Sequence, residues 1–176
     1  MRYFAFGSNL NRRQFAARCP GSRPVSRATL RGWRLAFRLP AAPPCHVRIP
    51  GRPGAAQAGG NGHADIVRQK GGVVHGALYE VTDGDLAALD RYEGAPVYYH
   101  RITVFVKDGD GQMHRALAYK MRNDAADELP SLSYALTIVR GCRDWGIEPD
   151  GKVRAAMETG LAHTAGRGAE GWPQGS

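Results

Sequence analysis

The sequence predicts an α+β fold in which a mostly antiparallel, curled sheet carries helices inserted one at a time. Three observations predict it. Strand-like runs dominate the middle of the chain, helical segments interrupt them singly, and turn residues join neighbouring strands. At 176 residues the chain has the length of one domain, expected over residues 1–162, with a Gly-rich tail over 163–176 expected to fray.

Taken in order, Arg2 to Phe6 is a short aromatic run that reads as a buried first strand, ended by Gly7-Ser8-Asn9. Asn11 to Arg18 reads as helix. Ala28 to Leu39 places Trp33, Leu35 and Phe37 on one side, as a half-buried strand does. Residues 40 to 62 are rich in Pro, Gly and Ala and read as a long mobile loop, expected to lie over the site. Further strands are expected at Ala64 to Arg68, Val73 to Val81, His100 to Lys107 and Met113 to Tyr119. The last two form a hairpin through Asp108-Gly109-Asp110-Gly111.

Thr82-Asp83-Gly84-Asp85 reads as a capping box ahead of Leu86, Leu89 and Tyr92 at helical spacing, with Gly94 and Pro96 as the stop. Another helix begins after Pro130, with Ser131 as its cap and Tyr134, Ile138, Gly141 and Trp145 on one face. Gly146 ends it. A last helix is expected over Gly151 to Leu161. Closure of the sheet into a small barrel is left open by these patterns.

Composition narrows the function classes. Hydrophobic residues at 43% and charged residues at 23% are ordinary values for a globular domain. The first apolar run breaks too early for a signal peptide, and no run approaches membrane-spanning length, so a cytoplasmic, membrane-free protein is expected. Cys19, Cys45 and Cys142 lack metal or disulfide spacing, and His46, His63 and His75 lack ligand spacing, so no metal site is expected. The net charge of +8 raises nucleic acid as a partner. Its arginines, from Arg12 to Arg38, are scattered, which reads as a solvated basic face with no nucleic-acid partner.

Two features carry chemistry. Gly7 permits a tight turn, and the amides that follow, with Ser8 and Asn9, can hold a carboxylate or a developing oxyanion; equally, Ser8 or Asn9 can simply cap the helix. Glu93 closes the capped helix, where the negative end of the helix dipole raises its pKa toward that of a general base, although a solvated surface Glu also fits. Asp90 and Arg91 read as exposed or locally paired. Tyr134 reads as core packing with its hydroxyl at the boundary.

Together, Tyr3-Phe4-Ala5-Phe6-Gly7-Ser8-Asn9-Leu10, Gly76-Ala77-Leu78-Tyr79-Glu80, Leu89-Asp90-Arg91-Tyr92-Glu93-Gly94, Tyr119 and Pro130-Ser131-Leu132-Ser133-Tyr134 resemble the γ-glutamylcyclotransferase-like (AIG2-like) family in order and spacing. The resemblance runs from Arg2 to Pro149. It implies a small mixed, mostly antiparallel β-barrel flanked by helices and a cofactor-free enzyme that closes a γ-glutamyl compound to 5-oxoproline. It further implies Glu93 as acid/base and Ala5, Phe6, Gly7, Ser8, Asn9, Leu10 and Tyr134 as the substrate-binding set. The partner would be a small γ-glutamyl molecule, and the protein a monomer or a homodimer. This sequence departs from the family's Tyr-Gly-Ser-Asn at Phe6, and its loop over residues 40–62 is longer than the usual one.

Overall fold

The longest pairing in the computed structural model joins β2 (Arg23–Leu39) to β3 (His63–Glu80), antiparallel from Arg23↔Glu80 to Arg38↔His63. The structure describes residues 1–39, 60–122 and 125–168, with side chains through residue 162. The pairing is too long to stay straight. It slips in register between Arg31 and Trp33, beside Gly32 at φ 81° and opposite Gly71 at φ 74°, left-handed conformations that glycine adopts without steric cost. The two separate strands expected over 64–68 and 73–81 are therefore one kinked strand.

β1 (Arg2–Ala5) pairs antiparallel with β3 and parallel with β5 (Met113–Met121); β5 pairs with β4 (Tyr99–Asp108), and β4 with β2. The β2–β3 pairing then closes the circuit, giving a five-stranded mixed barrel, with the two-residue β6 (Ala126–Asp127) added to the end of β2. The expected barrel is present. Closure leaves each barrel strand with neighbours on both sides. Phe4, Ile66, Leu78, Tyr79, Val106 and Met121 are among the fully buried side chains, with Tyr79 packed against Phe15 and Trp145 of the helices. Burying each such side chain contributes roughly 1.5–3 kcal/mol.

The helices form where the local signals placed them. α1 (Arg12–Arg18) is capped by Asn11, whose side chain accepts from the Gln14 amide, so neither Ser8 nor Asn9 is its cap. Ser8–Leu10 form a separate 3-10 turn. α2 (Asp83–Glu93) carries the full capping box between Thr82 and Asp85 and ends at Gly94 in the left-handed conformation. α3 (Leu132–Trp145) is capped by Ser131 and ends at Gly146, also left-handed. α4 (Gly151–Gly168) continues beyond the expected Leu161. The hairpin turn holds because the Asp108 carboxylate accepts from the Asp110 and Gln112 amides. No helix among the described residues is long and apolar enough to cross a membrane. The expectation of a site-covering loop falls mainly on residues 40–59, outside the described residues.

Candidate active site

The Gly7–Leu10 turn is fixed from three sides. α3 lies against it so closely that a Cβ on Gly141 would come 2.5 Å from the Asn11 nitrogen and 2.6 Å from the Leu10 carbonyl carbon. Trp145 Nε1 donates to the Leu10 carbonyl at 3.0 Å, and the Tyr79 hydroxyl donates to the Asn9 carbonyl at 3.3 Å. On the third side Gly7 faces β3, where a Cβ would meet Ala64 Cβ at 2.7 Å and the Tyr134 hydroxyl at 3.4 Å. Only glycine fits that gap.

Asn9 is the hub. Its Nδ2 donates to Glu93 Oε1 at 3.0 Å and to the Tyr3 hydroxyl at 2.9 Å, which uses both amide hydrogens. Its Oδ1 accepts from Arg18 Nη1 at 2.5 Å, and the Arg18 guanidinium stacks 3.7 Å over the Tyr92 ring. Barrel closure thus brings the N-terminal turn and the last residue of α2 together.

Glu93 is partly buried, and burial is the main reason its carboxyl is raised to about 7; nearby Arg18 and the Asn9 hydrogen bond pull it back down. The expected dipole effect is therefore not the governing cause. The raised value itself agrees with the expectation. Tyr3 is held well above its ordinary value by burial and by the neighbouring Glu93 charge. Tyr134 is pushed to about 12, burial first and the Glu93 charge after it, with hydrogen bonds from the Ala64 amide and from Ser8 opposing. Its hydroxyl accepts from the Ala64 amide at 3.3 Å and lies beside the Gly7 turn, at the edge of the core.

Of the residues expected to bind substrate, Gly7, Ser8, Asn9 and Tyr134 gather on one side with Glu93. Ala5, Phe6 and Leu10 put their side chains into the core, leaving only their backbone to the turn. Phe6 packs near Phe4, with ring centres 6.2 Å apart.

Sequence reasoning passed over two groups. Arg18 and Tyr3 contact Asn9 directly, and no local pattern marks either. Asp90, read as bland, accepts from the Tyr119 hydroxyl at 2.7 Å and from Arg101 Nε at 2.8 Å, with a second Arg101–Asp90 contact beside it. Burial alone would raise the Asp90 carboxyl, but these donors outweigh it and hold the acid below its ordinary value. One helical turn from Glu93, this cluster ties α2 to β4 and β5.

The family model described as γ-glutamyl cyclotransferase, AIG2-like, matches residues 3–136. The chain belongs to this family. A bovine protein named γ-glutamylcyclotransferase is 27% identical over 146 residues, covering 82% of this chain and 71% of its own. The γ-glutamylcyclotransferase fold also matches in three dimensions. A solved γ-glutamyl cyclotransferase superposes with a TM-score of 0.70 at 23% identity, over 91% of this chain and 99% of that one. A yeast structure described as a γ-glutamyl cyclotransferase specific to glutathione superposes at 0.56 with 11% identity, over 93% and 98% of the two chains.

Proposed function

We propose that the protein cyclises γ-glutamyl amines or γ-glutamyl amino acids to 5-oxoproline, releasing the free amine, with Glu93 as general acid/base. The observation that carries this reading is the Asn9–Glu93 contact: a carboxyl held at about 7 beside a glycine-cleared turn, in a chain of this family.

The chemistry asks for few groups. The substrate's neutral α-amine attacks its own γ-carbonyl carbon, forming the ring C–N bond and placing negative charge on the carbonyl oxygen. Glu93, as carboxylate, takes the proton that the attacking nitrogen sheds. When the tetrahedral intermediate collapses, the original amide C–N bond breaks and the protonated Glu93 gives its proton to the leaving nitrogen. A pKa close to neutrality suits both transfers. The turn amides, the Ser8 hydroxyl and the Tyr134 hydroxyl are the donors for the transient oxyanion. Asn9 positions the carboxylate, and enclosure favours the folded substrate conformer in which the amine already lies near the carbonyl.

Fold likeness does not choose the leaving group, because structures sharing this fold include one described as specific to glutathione. Glutathione is nonetheless the least favoured substrate, given the composition of the first motif. Phe6 lies in the core, so its missing hydroxyl leaves the proposed polar set of Ser8, Asn9, Glu93 and Tyr134 complete.

The test is 5-oxoproline release from a panel of γ-glutamyl amino acids, γ-glutamyl amines and glutathione, with Glu93→Gln beside the native protein. Release lost in the variant supports the reading. Full activity in Glu93→Gln ends it, and ligand-induced thermal protection without turnover would favour a non-catalytic binding module.

A further inference from the structure

The outer wall of the barrel is covered at one end of the β4–β5 hairpin and open at the other. Directly opposed residues of that pair share a face, so Arg101 and Tyr119 stand on the same side as Phe105 with Arg115 and Lys107 with Met113. α2 covers the first pair through Asp90, and Tyr119 is buried. Toward the turn the cover stops. Phe105 is 62% exposed and Met113 60%, while Val104, Val106, His114 and Ala116 alternate with the outward residues and are buried.

The next strand brings charge to the same side. Thr29 of β2 stands opposite Lys107, and Arg27 and Arg31, two residues to either side of Thr29, share its face. Arg27, Arg31, Lys107 and Arg115 are all exposed. Of the acids at the hairpin turn, Asp108 is taken up by His114 at 2.6 Å and by the Asp110 and Gln112 amides, and Asp110 lies in the turn itself, where Arg27 sits beside Gly109. An aromatic ring and a thioether thus stand in water among four cations.

We propose that this wall docks on the anionic surface of a lipid bilayer, with Phe105 and Met113 entering the headgroup boundary and the four cations meeting the charged headgroups. The occupant follows from shape and charge. A barrel wall is convex and gives a peptide no groove to lie in, whereas a bilayer yields to small protrusions. A second copy is disfavoured, because two-fold contact pairs a patch with itself and would set these cations against one another. An anionic leaflet attracts them, and the ring and thioether add an apolar contribution that salt does not screen. The expectation of a membrane-free protein came from the want of a spanning run, which governs crossing a bilayer; surface contact needs only a patch of this kind.

Cosedimentation of the full chain with vesicles tests the proposal, one set of phosphatidylcholine alone and one of phosphatidylcholine and phosphatidylserine in equal parts. Binding to the second set only is expected, falling as potassium chloride is raised. Lys107→Gln and Arg115→Gln are each expected to weaken it roughly fivefold, one surface cation's contribution. Phe105→Ser is expected to weaken it by roughly fivefold or more. Lys152→Gln, an exposed cation on α4, is expected to stay within twofold of the native protein. The substituted side chains are exposed, so all variants are expected to keep the native melting temperature. Absence of binding to the anionic vesicles overturns the proposal. So does an equal loss in Lys152→Gln, which means diffuse charge, or full binding by Phe105→Ser, which means charge alone. A dimer that Phe105→Ser abolishes assigns the wall to a second copy, and binding of poly-glutamate without binding of vesicles assigns it to an acidic protein; either result overturns it.

Discussion

Asn9 Nδ2 donates to Glu93 Oε1 at 3.0 Å across 84 residues of sequence, and Arg18 donates to the other end of the same amide. The turn, α1 and α2 are therefore coupled through one side chain, and the consequences can be measured.

Arg18 should set the pH at which Glu93 becomes a base. Its charge lowers the Glu93 pKa, so Arg18→Gln is expected to move the rising limb of kcat/KM against pH, near 7 in the native protein, to higher pH. An unmoved limb would separate Arg18 from the titrating group.

Glu93 should cost the fold stability at neutral pH. Raised from 4.5 to about 7, the folded-state carboxyl keeps its proton between those values while the unfolded chain has released it, so stability falls as pH rises through that window and levels off above it. At pH 8 Glu93→Gln is then expected to be more stable than the native protein by roughly 1–3 kcal/mol, at about 1.4 kcal/mol per pH unit reduced for the part of the side chain that reaches solvent. At pH 4 the two should coincide. Paired urea melts at the two pH values give the difference directly.

Asp90 should act as a positioning residue. Asp90→Asn weakens its pairing with Arg101 and Tyr119, one turn before Glu93 on α2, with an expected stability loss of about 1–3 kcal/mol for charge-assisted bonds. If the cluster serves the site, kcat should fall while KM changes little and the pH limb shifts; a stability loss with unchanged kinetics would confine Asp90 to the fold.

Gly141→Ala puts two magnitudes in opposition. Alanine in a helix interior gains up to about 1 kcal/mol in propensity over glycine. The added Cβ would however lie 2.5 Å from the Asn11 nitrogen, against backbone that cannot rotate away, and such overpacking costs about 1–3 kcal/mol. The steric cost is expected to win, lowering Tm and, through displacement of the Leu10–Asn11 backbone, lowering turnover as well.

Local chemistry made much of this molecule legible. The Thr82–Asp85 box, Ser131, Gly94 and Gly146 bound their helices as their sequence signals indicated, because caps act within a few residues of chain. The hairpin at Asp108–Gly111 and the motifs carrying Gly7, Asn9, Glu93 and Tyr134 were equally visible. Single-residue misreadings arose where two local solutions compete: Asn11 took the cap that Ser8 or Asn9 could have supplied, and the chain around Gly71 kinked one strand instead of separating two.

What only the tertiary structure decided is who meets whom. Burial, more than the helix dipole, sets the Glu93 carboxyl, and burial is a property of the closed barrel. The same closure turned Asp90 from a surface acid into the partner of Arg101 and Tyr119. Sequence fixes which groups a chain can offer because propensity and capping are short-ranged; desolvation and charge pairing depend on distances that exist only once the strands have closed.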